Sequence, residues 1–415
     1  MTLLAINWPA VGLQAGYLVF SLSILVIVHE FGHYITAKWF KCRVEKFYLF
    51  FDPWFSIFKK KIGETEYGIG WLPLGGYVKI SGMVDESMDK EQMKQPPQPW
   101  EFRSKPAWQR LIILLAGVTM NVLLAFFIYA MILFKWGETK MPMQSLKNGV
   151  WVTDSLVSNI GVKNGDKVLA VNGEPVKYFD DLAGKVLLGK QITVERNGQQ
   201  QTINIPINMI EQLVEQKGKR NNRFFTPRLP VIIGGFPESE DKAVAGNGTV
   251  ALDTRIKNAG AVSSYHSVNH NEERLRVHDR IIAVDSTPVA YFDEMAPLLK
   301  MKKGDSVTLT VIRDGNPLKT RVLVDTSGAI GFYNISLLQA DSLGLLKIEN
   351  KKYGFLASFP AGVKETGKQL DFYVQQIKMI VNPETGAYKG LGGFKAMTSI
   401  FPSTGWDWKA FWRIT

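Results

Sequence analysis

The chain has 415 residues, 46% of them hydrophobic and 21% charged, with 49 basic against 38 acidic side chains and a net charge of +11. It is too long for one compact core and too apolar for a disordered chain. Its one cysteine, Cys42, excludes an internal disulfide framework or a multi-thiolate metal site.

From the N-terminus, residues 1–28 carry no charge and lead directly into His29. A cleaved signal peptide is disfavoured, because there is no basic leading region and no small-residue cleavage site. Residues 1–45 are therefore expected to hold a retained membrane-spanning helix. Lys38, Lys41, Arg43, Lys46, the run Lys59-Lys60-Lys61, Lys105 and Arg110 follow, whereas no Lys or Arg precedes them. By the positive-inside rule the loop 46–107 lies in the cytoplasm, and the N-terminus and everything after Phe134 lie across the membrane. The basic excess forms no stripe with interleaved aromatics, so it reads as facing membrane lipids, with no nucleic-acid partner.

Within that loop, Thr65–Gly82 sets glycines and Pro73 among β-forming residues. The pattern predicts a hairpin whose backbone is closely approached, with Gly70, Trp71, Leu72, Leu74, Gly75 and Gly76 as candidate substrate contacts. It is either membrane-associated or an ordinary cytoplasmic hairpin. A polar, proline-bearing linker occupies 84–107. A second spanning helix is expected over 108–135, since Leu111–Phe134 is charge-free. As helix that run is about 36 Å long, against a hydrocarbon core of about 30 Å.

Beyond it lies an internal repeat. DKVLAVNGEPVKYFDDL (Asp166–Leu182) matches DRIIAVDSTPVAYFDEM (Asp279–Met295), each an apolar strand, a turn and a helix start followed by a β-rich tail. Two β-rich domains of one kind are expected, over 145–228 and 229–328. The tail 329–415 carries an amphipathic stretch at helical spacing and the tryptophans Trp406, Trp408 and Trp412, which suit a membrane interface.

The chemistry concentrates at His29-Glu30-Phe31-Gly32-His33. On a helix, histidines four apart share a face and can bind one zinc ion, and Glu30 can accept and return a proton as general base. The bland alternative is two interfacial histidines beside a solvated glutamate. An ionisable cluster adjoining a charge-free span favours the functional reading. Asn121, in the second apolar run, is either interhelical glue or a substrate-backbone contact beside the metal.

Together, HEFGH, LPLGGYVKISG, FRSKPAWQRLIILLAGVTMN and the tandem repeat resemble the bacterial site-2 protease family, of the regulator-of-sigma-E-protease type, over essentially the whole chain. The resemblance implies a multi-pass α-helical membrane protein with a membrane-associated β-hairpin and two PDZ-like domains outside the membrane. It implies a bacterial inner (cytoplasmic) membrane zinc metalloendopeptidase that cleaves transmembrane protein substrates, such as anti-sigma factors and remnant signal peptides. Peptide ligands of the PDZ-like domains are a further implied partner. His29 and His33 would be metal ligands, Glu30 the catalytic base, and Asn121 a substrate contact. Three departures stand out. Val118 replaces the usual proline between Gly117 and Asn121. His278 and Ser286 replace glycines of the second repeat. The family's third ligand, the Asp of an L-D-G motif in a later span, has no counterpart, so the chain is expected to be a C-terminally shortened, inactive form. Asp52 is the first residue to test should a ligand have been overlooked. Two other readings remain, a membrane-anchored PDZ scaffold or chaperone without catalysis and a zincin acting on soluble proteins.

Overall fold

The computed structural model describes residues 7–73, 75–83, 96–216, 223–236 and 275–415. They form two compact units. The first comprises residues up to 138 with 351–374 and 391–415, and the second comprises 139–350 with 375–390.

The first unit is built on α1 (Trp8–Trp39) and α2 (Ala107–Trp136). Asn7 Oδ1 caps α1 by accepting from Ala10 N at 3.2 Å, and Gly137, with φ +68°, ends α2 in a left-handed turn. Both helices are long and apolar enough to cross a bilayer, with mean hydropathies of 2.1 and 2.6. Because Tyr34–Trp39 contains no breaker, α1 continues past His33 and the HEFGH run lies inside the helix rather than at its end. α2 passes unbroken through Val118, which points outward. The two helices touch at small residues, and a Cβ on Gly32 would lie 2.5 Å from the Ala116 carbonyl oxygen.

Between the helices the chain forms β1 (Val44–Leu49), β2 (Phe51–Ile62), β3 (Thr65–Leu72) and β4 (Tyr77–Ile80). Their order is β2-β3-β1-β4, with β1 parallel to β3 and antiparallel to β4. This corrects the expected hairpin over Thr65–Gly82. Its two strands do not pair with each other, because β1 is inserted between them. The true hairpin joins β2 and β3 around Gly63, where φ is +61°. Leu74 and the first half of the polar linker, 84–95, lie outside the described residues.

Helix Phe355–Val381 starts ahead of the predicted amphipathic stretch and carries Pro360 in its second turn. It packs on α2 where Gly362 meets the Ala130 backbone. Near the C-terminus, helix Trp408–Ile414 contributes Phe411 to a cluster around the fully buried Tyr17 of α1. Tyr17 stacks on Trp406 at 4.1 Å and on Phe401 at 5.4 Å.

The second unit contains the two repeats. Strands Gln199–Asn204, Gln191–Arg196, Lys167–Val171 and Glu174–Pro175 lie in that order, and Asn316–Leu323, Ser306–Arg313, Arg280–Val284 and Thr287–Pro288 repeat it. Helices Phe179–Leu188 and Phe292–Met301 occupy equivalent places. Each copy buries an ion pair, Asp166–Arg196 or Asp279–Arg313, with closest approaches of 2.7 Å. His278 adopts φ +74° where Gly165 has +89°, so the second copy places a histidine in backbone space that favours glycine. The polar stretch preceding this copy lies mostly outside the described residues. Ile335, Ala340 and Leu346, which follow the second copy in sequence, complete the core of the first.

Candidate metal centre

Helical spacing sets His29 and His33 one above the other on the α1 face that meets α2. Their Nε2 atoms approach to 3.2 Å. Two nitrogens bound to one tetrahedral zinc, each about 2.0–2.1 Å from the ion, would be about 3.3–3.4 Å apart. The pair is therefore already spaced as two ligands of such a centre. His33 Nδ1 lies 2.7 Å from the carbonyl oxygen of Ile113 on α2. That carbonyl can only accept, so the His33 proton sits on Nδ1 and Nε2 keeps its lone pair.

Asn121 supports the other ring. Its Nδ2 is 3.4 Å from His29 Nδ1, while its Oδ1 is buried without a hydrogen-bond partner among the described residues. A half-turn of the amide brings Oδ1 to His29 Nδ1 as an acceptor, which frees His29 Nε2 for a metal. Gly117 leaves the space in front of both rings. A Cβ there would be 2.4 Å from His33 Nε2 and 2.6 Å from His29 Nε2. The arrangement fits half of a zinc site. Among the described residues no group of three or more His, Cys, Asp or Glu side chains is placed to hold a metal ion.

Glu30 occupies the adjoining face, where the turn between β3 and β4 arrives. A Cβ on Gly76 would lie 2.8 Å from Val26 Cγ1 and 3.4 Å from Glu30 Cγ, so only glycine allows this approach. Asp52 does not point at the histidines. Its two oxygens accept from Tyr77 Oη at 2.9 Å and from Ser56 Oγ at 3.0 Å. Gly70 and Leu72 belong to β3, which is paired on both sides, and the carbonyl of Phe51 fills the space a Gly70 side chain would need. Trp71 donates from Nε1 to the Pro53 carbonyl at 2.8 Å and stacks on Trp54 and Phe55. Sequence reasoning missed the Ile113 carbonyl and the Asp52–Tyr77 pair. A carbonyl leaves no mark in side-chain patterns, and the pair depends on an unforeseen strand order.

A model of peptidase family M50 matches residues 17–415. The chain belongs to peptidase family M50. Similar proteins include one of Treponema pallidum, 26% identical over 373 residues, covering 86% of this chain and 73% of that protein. A Chlamydia trachomatis protein is 35% identical over 179 residues, covering 42% of this chain and 28% of its own length. A Rickettsia conorii protein is 35% identical over 196 residues, covering 45% and 52% respectively. All three are named "putative zinc metalloprotease". The chain thus spans less than two thirds of the length of two of these three relatives. Membership of M50, with two helices fit to cross a bilayer, makes this a membrane protein.

Proposed function

We propose that this M50 chain carries the catalytic face of a zinc metalloendopeptidase that cleaves transmembrane segments of other membrane proteins. The convergence of the His29 and His33 Nε2 atoms inside an apolar, membrane-length helix is the observation that supports it most. When bound, zinc supplies Lewis acidity toward a scissile carbonyl. Glu30 receives a proton from water as the water oxygen bonds to the carbonyl carbon. It passes that proton to the amide nitrogen as the C–N bond breaks. The Ile113 carbonyl and the Asn121 amide hold both imidazoles in the tautomer that presents Nε2.

A helical substrate must expose its backbone before hydrolysis. The edge strand β4, which follows the Gly75–Gly76 turn at Glu30, suits the addition of an extended substrate strand. Trp71 and Leu72, at the end of β3, would then flank the entry. The substrate class is that of anti-sigma-factor-like membrane proteins and remnant signal peptides, in a bacterial inner membrane with the 46–107 loop cytoplasmic. The two repeats act outside the membrane as PDZ-like modules that bind peptides or exclude bulky substrates.

Glu30→Gln in the full natural protein is expected to abolish cleavage of a membrane substrate while zinc content is retained, and the loss should fall on kcat. Normal turnover by that variant would overturn the assignment. A catalytic zinc normally takes three protein ligands. We therefore expect the 415-residue polypeptide by itself to bind zinc weakly and leave peptide bonds intact. Tight stoichiometric zinc with turnover, by elemental analysis and a cleavage assay, would show that a further ligand lies within it.

A further inference from the structure

Five side chains link the four strands of the β1–β4 sheet in two hydrogen-bonded groups, Tyr77–Asp52–Ser56 and Tyr48–Glu66, that meet where Tyr48 lies against Ser56. Tyr77 Oη on β4 donates to Asp52 Oδ1 on β2 at 2.9 Å, and Ser56 Oγ donates to Asp52 Oδ2 at 3.0 Å. Tyr48 Oη on β1 lies 3.3 Å from Ser56 Oγ and donates to Glu66 Oε1 on β3 at 2.7 Å. Rings reinforce the assembly. Tyr48 and Tyr77 stack at 5.2 Å with an 11° interplanar angle, and Phe51 and Tyr77 stack at 6.3 Å and 9°. The Phe51 ring backs Gly75, whose Cβ would be 2.9 Å from it, and the Tyr48 carbonyl backs Gly76 at 2.7 Å. The sheet-side supports of Gly75 and Gly76, the Phe51 ring and the Tyr48 carbonyl, thus come from residues of this assembly, and Asp52 is the acceptor that fixes its β4 end.

We propose that Asp52 is a positioning residue which, through Tyr77 and the ring stack, holds the Gly75–Gly76 turn against the Glu30 face of α1. It thereby sets where an extended substrate backbone lies over the histidine pair. This rests on the proteolytic reading above but goes beyond it, because Asp52 touches neither metal ligand nor base. The phenol of Tyr77 stays a donor throughout, since burial and then its bond to Asp52 raise its pKa far above the usual tyrosine value.

The test compares Asp52→Ala, Asp52→Asn and Tyr77→Phe in the full natural protein, with Glu30→Gln as a separate arm. Hydrogen exchange and steady-state cleavage of one transmembrane substrate are both measured. Asp52→Ala is expected to speed exchange at residues 75–77 while β1 and β3 stay protected. It should raise KM by about tenfold, the worth of one hydrogen bond to a charged acceptor, and leave kcat within about twofold. Asp52→Asn keeps an acceptor for Tyr77 and turns an NH2 donor toward Ser56, whose hydroxyl can accept it, and should restore KM. Tyr77→Phe combined with Asp52→Ala should be no worse than either alone. Unchanged exchange in Asp52→Ala, protection lost across the whole sheet, or faster exchange at the turn with unaltered KM would each refute the positioning role. If only the Glu30→Gln arm fails, the proteolytic reading falls while the exchange result still decides the anchoring of the turn.

Discussion

Gly117→Ala isolates what the helix interface does for the paired histidines. The added methyl carbon would stand 2.4 Å from His33 Nε2 and 2.6 Å from His29 Nε2. Carbon and nitrogen atoms in contact prefer about 3.5 Å, so either ring or helix must retreat by about 1 Å. Metal-ligand distances tolerate only about 0.2 Å. His33 cannot turn aside without breaking its bond to the Ile113 carbonyl. Overpacking of this kind costs about 1–3 kcal/mol, which is about ten- to a hundredfold in zinc affinity if it falls on the bound state. Zinc affinity is measured in detergent by competition with a chelating dye, for the parent chain, Gly117→Ala and Gly32→Ala. The last change meets the Ala116 carbonyl at 2.5 Å rather than the space in front of the rings, and so reports loosening of the interface. Parental zinc affinity in Gly117→Ala, with helix content intact, would refute the argument that the two nitrogens converge on a shared ligand in front of Gly117.

Two further outcomes follow from the second unit. Asp166→Ala leaves Arg196 without its partner beside a carboxylate site that is 1% exposed, and should cost the 139–350 fragment about 3 kcal/mol in urea unfolding; a cost below about 1 kcal/mol would contradict a buried pair. Burial pushes the Asp325 carboxyl up, but the Ser327 hydroxyl and the amides of Ala329, Ser327 and Gly328 outweigh it and hold it low. Its contribution is therefore complete above the ordinary carboxylate range and is lost as pH falls through the lowered native value, so Asp325→Asn should flatten the acid limb of the fragment's stability–pH curve and leave its slope near pH 7 unchanged.

The two apolar helices were legible because a run without charge over the thickness of a bilayer marks a span by length alone. The repeats were legible because a 17-residue match carried the turn at Asn172 and Asp285, both left-handed at φ +53° and +54°, and the start of each helix. The β1–β4 sheet was not. Residues 44–62 show no apolar–polar alternation, because β2 is exposed on both faces along most of its length. The partner that separates β3 from β4 lies upstream of both, so local pairing reasoning chose a hairpin. At the site, the histidines, Glu30 and Asn121 stood out in sequence, and so did Gly117 through the resemblance. What aligns them did not, since it consists of one backbone carbonyl and a missing Cβ.

The bond from His33 to the Ile113 carbonyl has a consequence for biogenesis. A nascent polypeptide that has inserted only α1 contains the whole HEFGH run, yet nothing in α1 fixes which His33 nitrogen holds the proton. The second helix must arrive and dock before both imidazoles present the same edge. If the histidine pair takes up metal as proposed, its capture would be coupled to completion of the helix pair, and a half-synthesised chain in the bilayer would hold no assembled reactive centre while it waits.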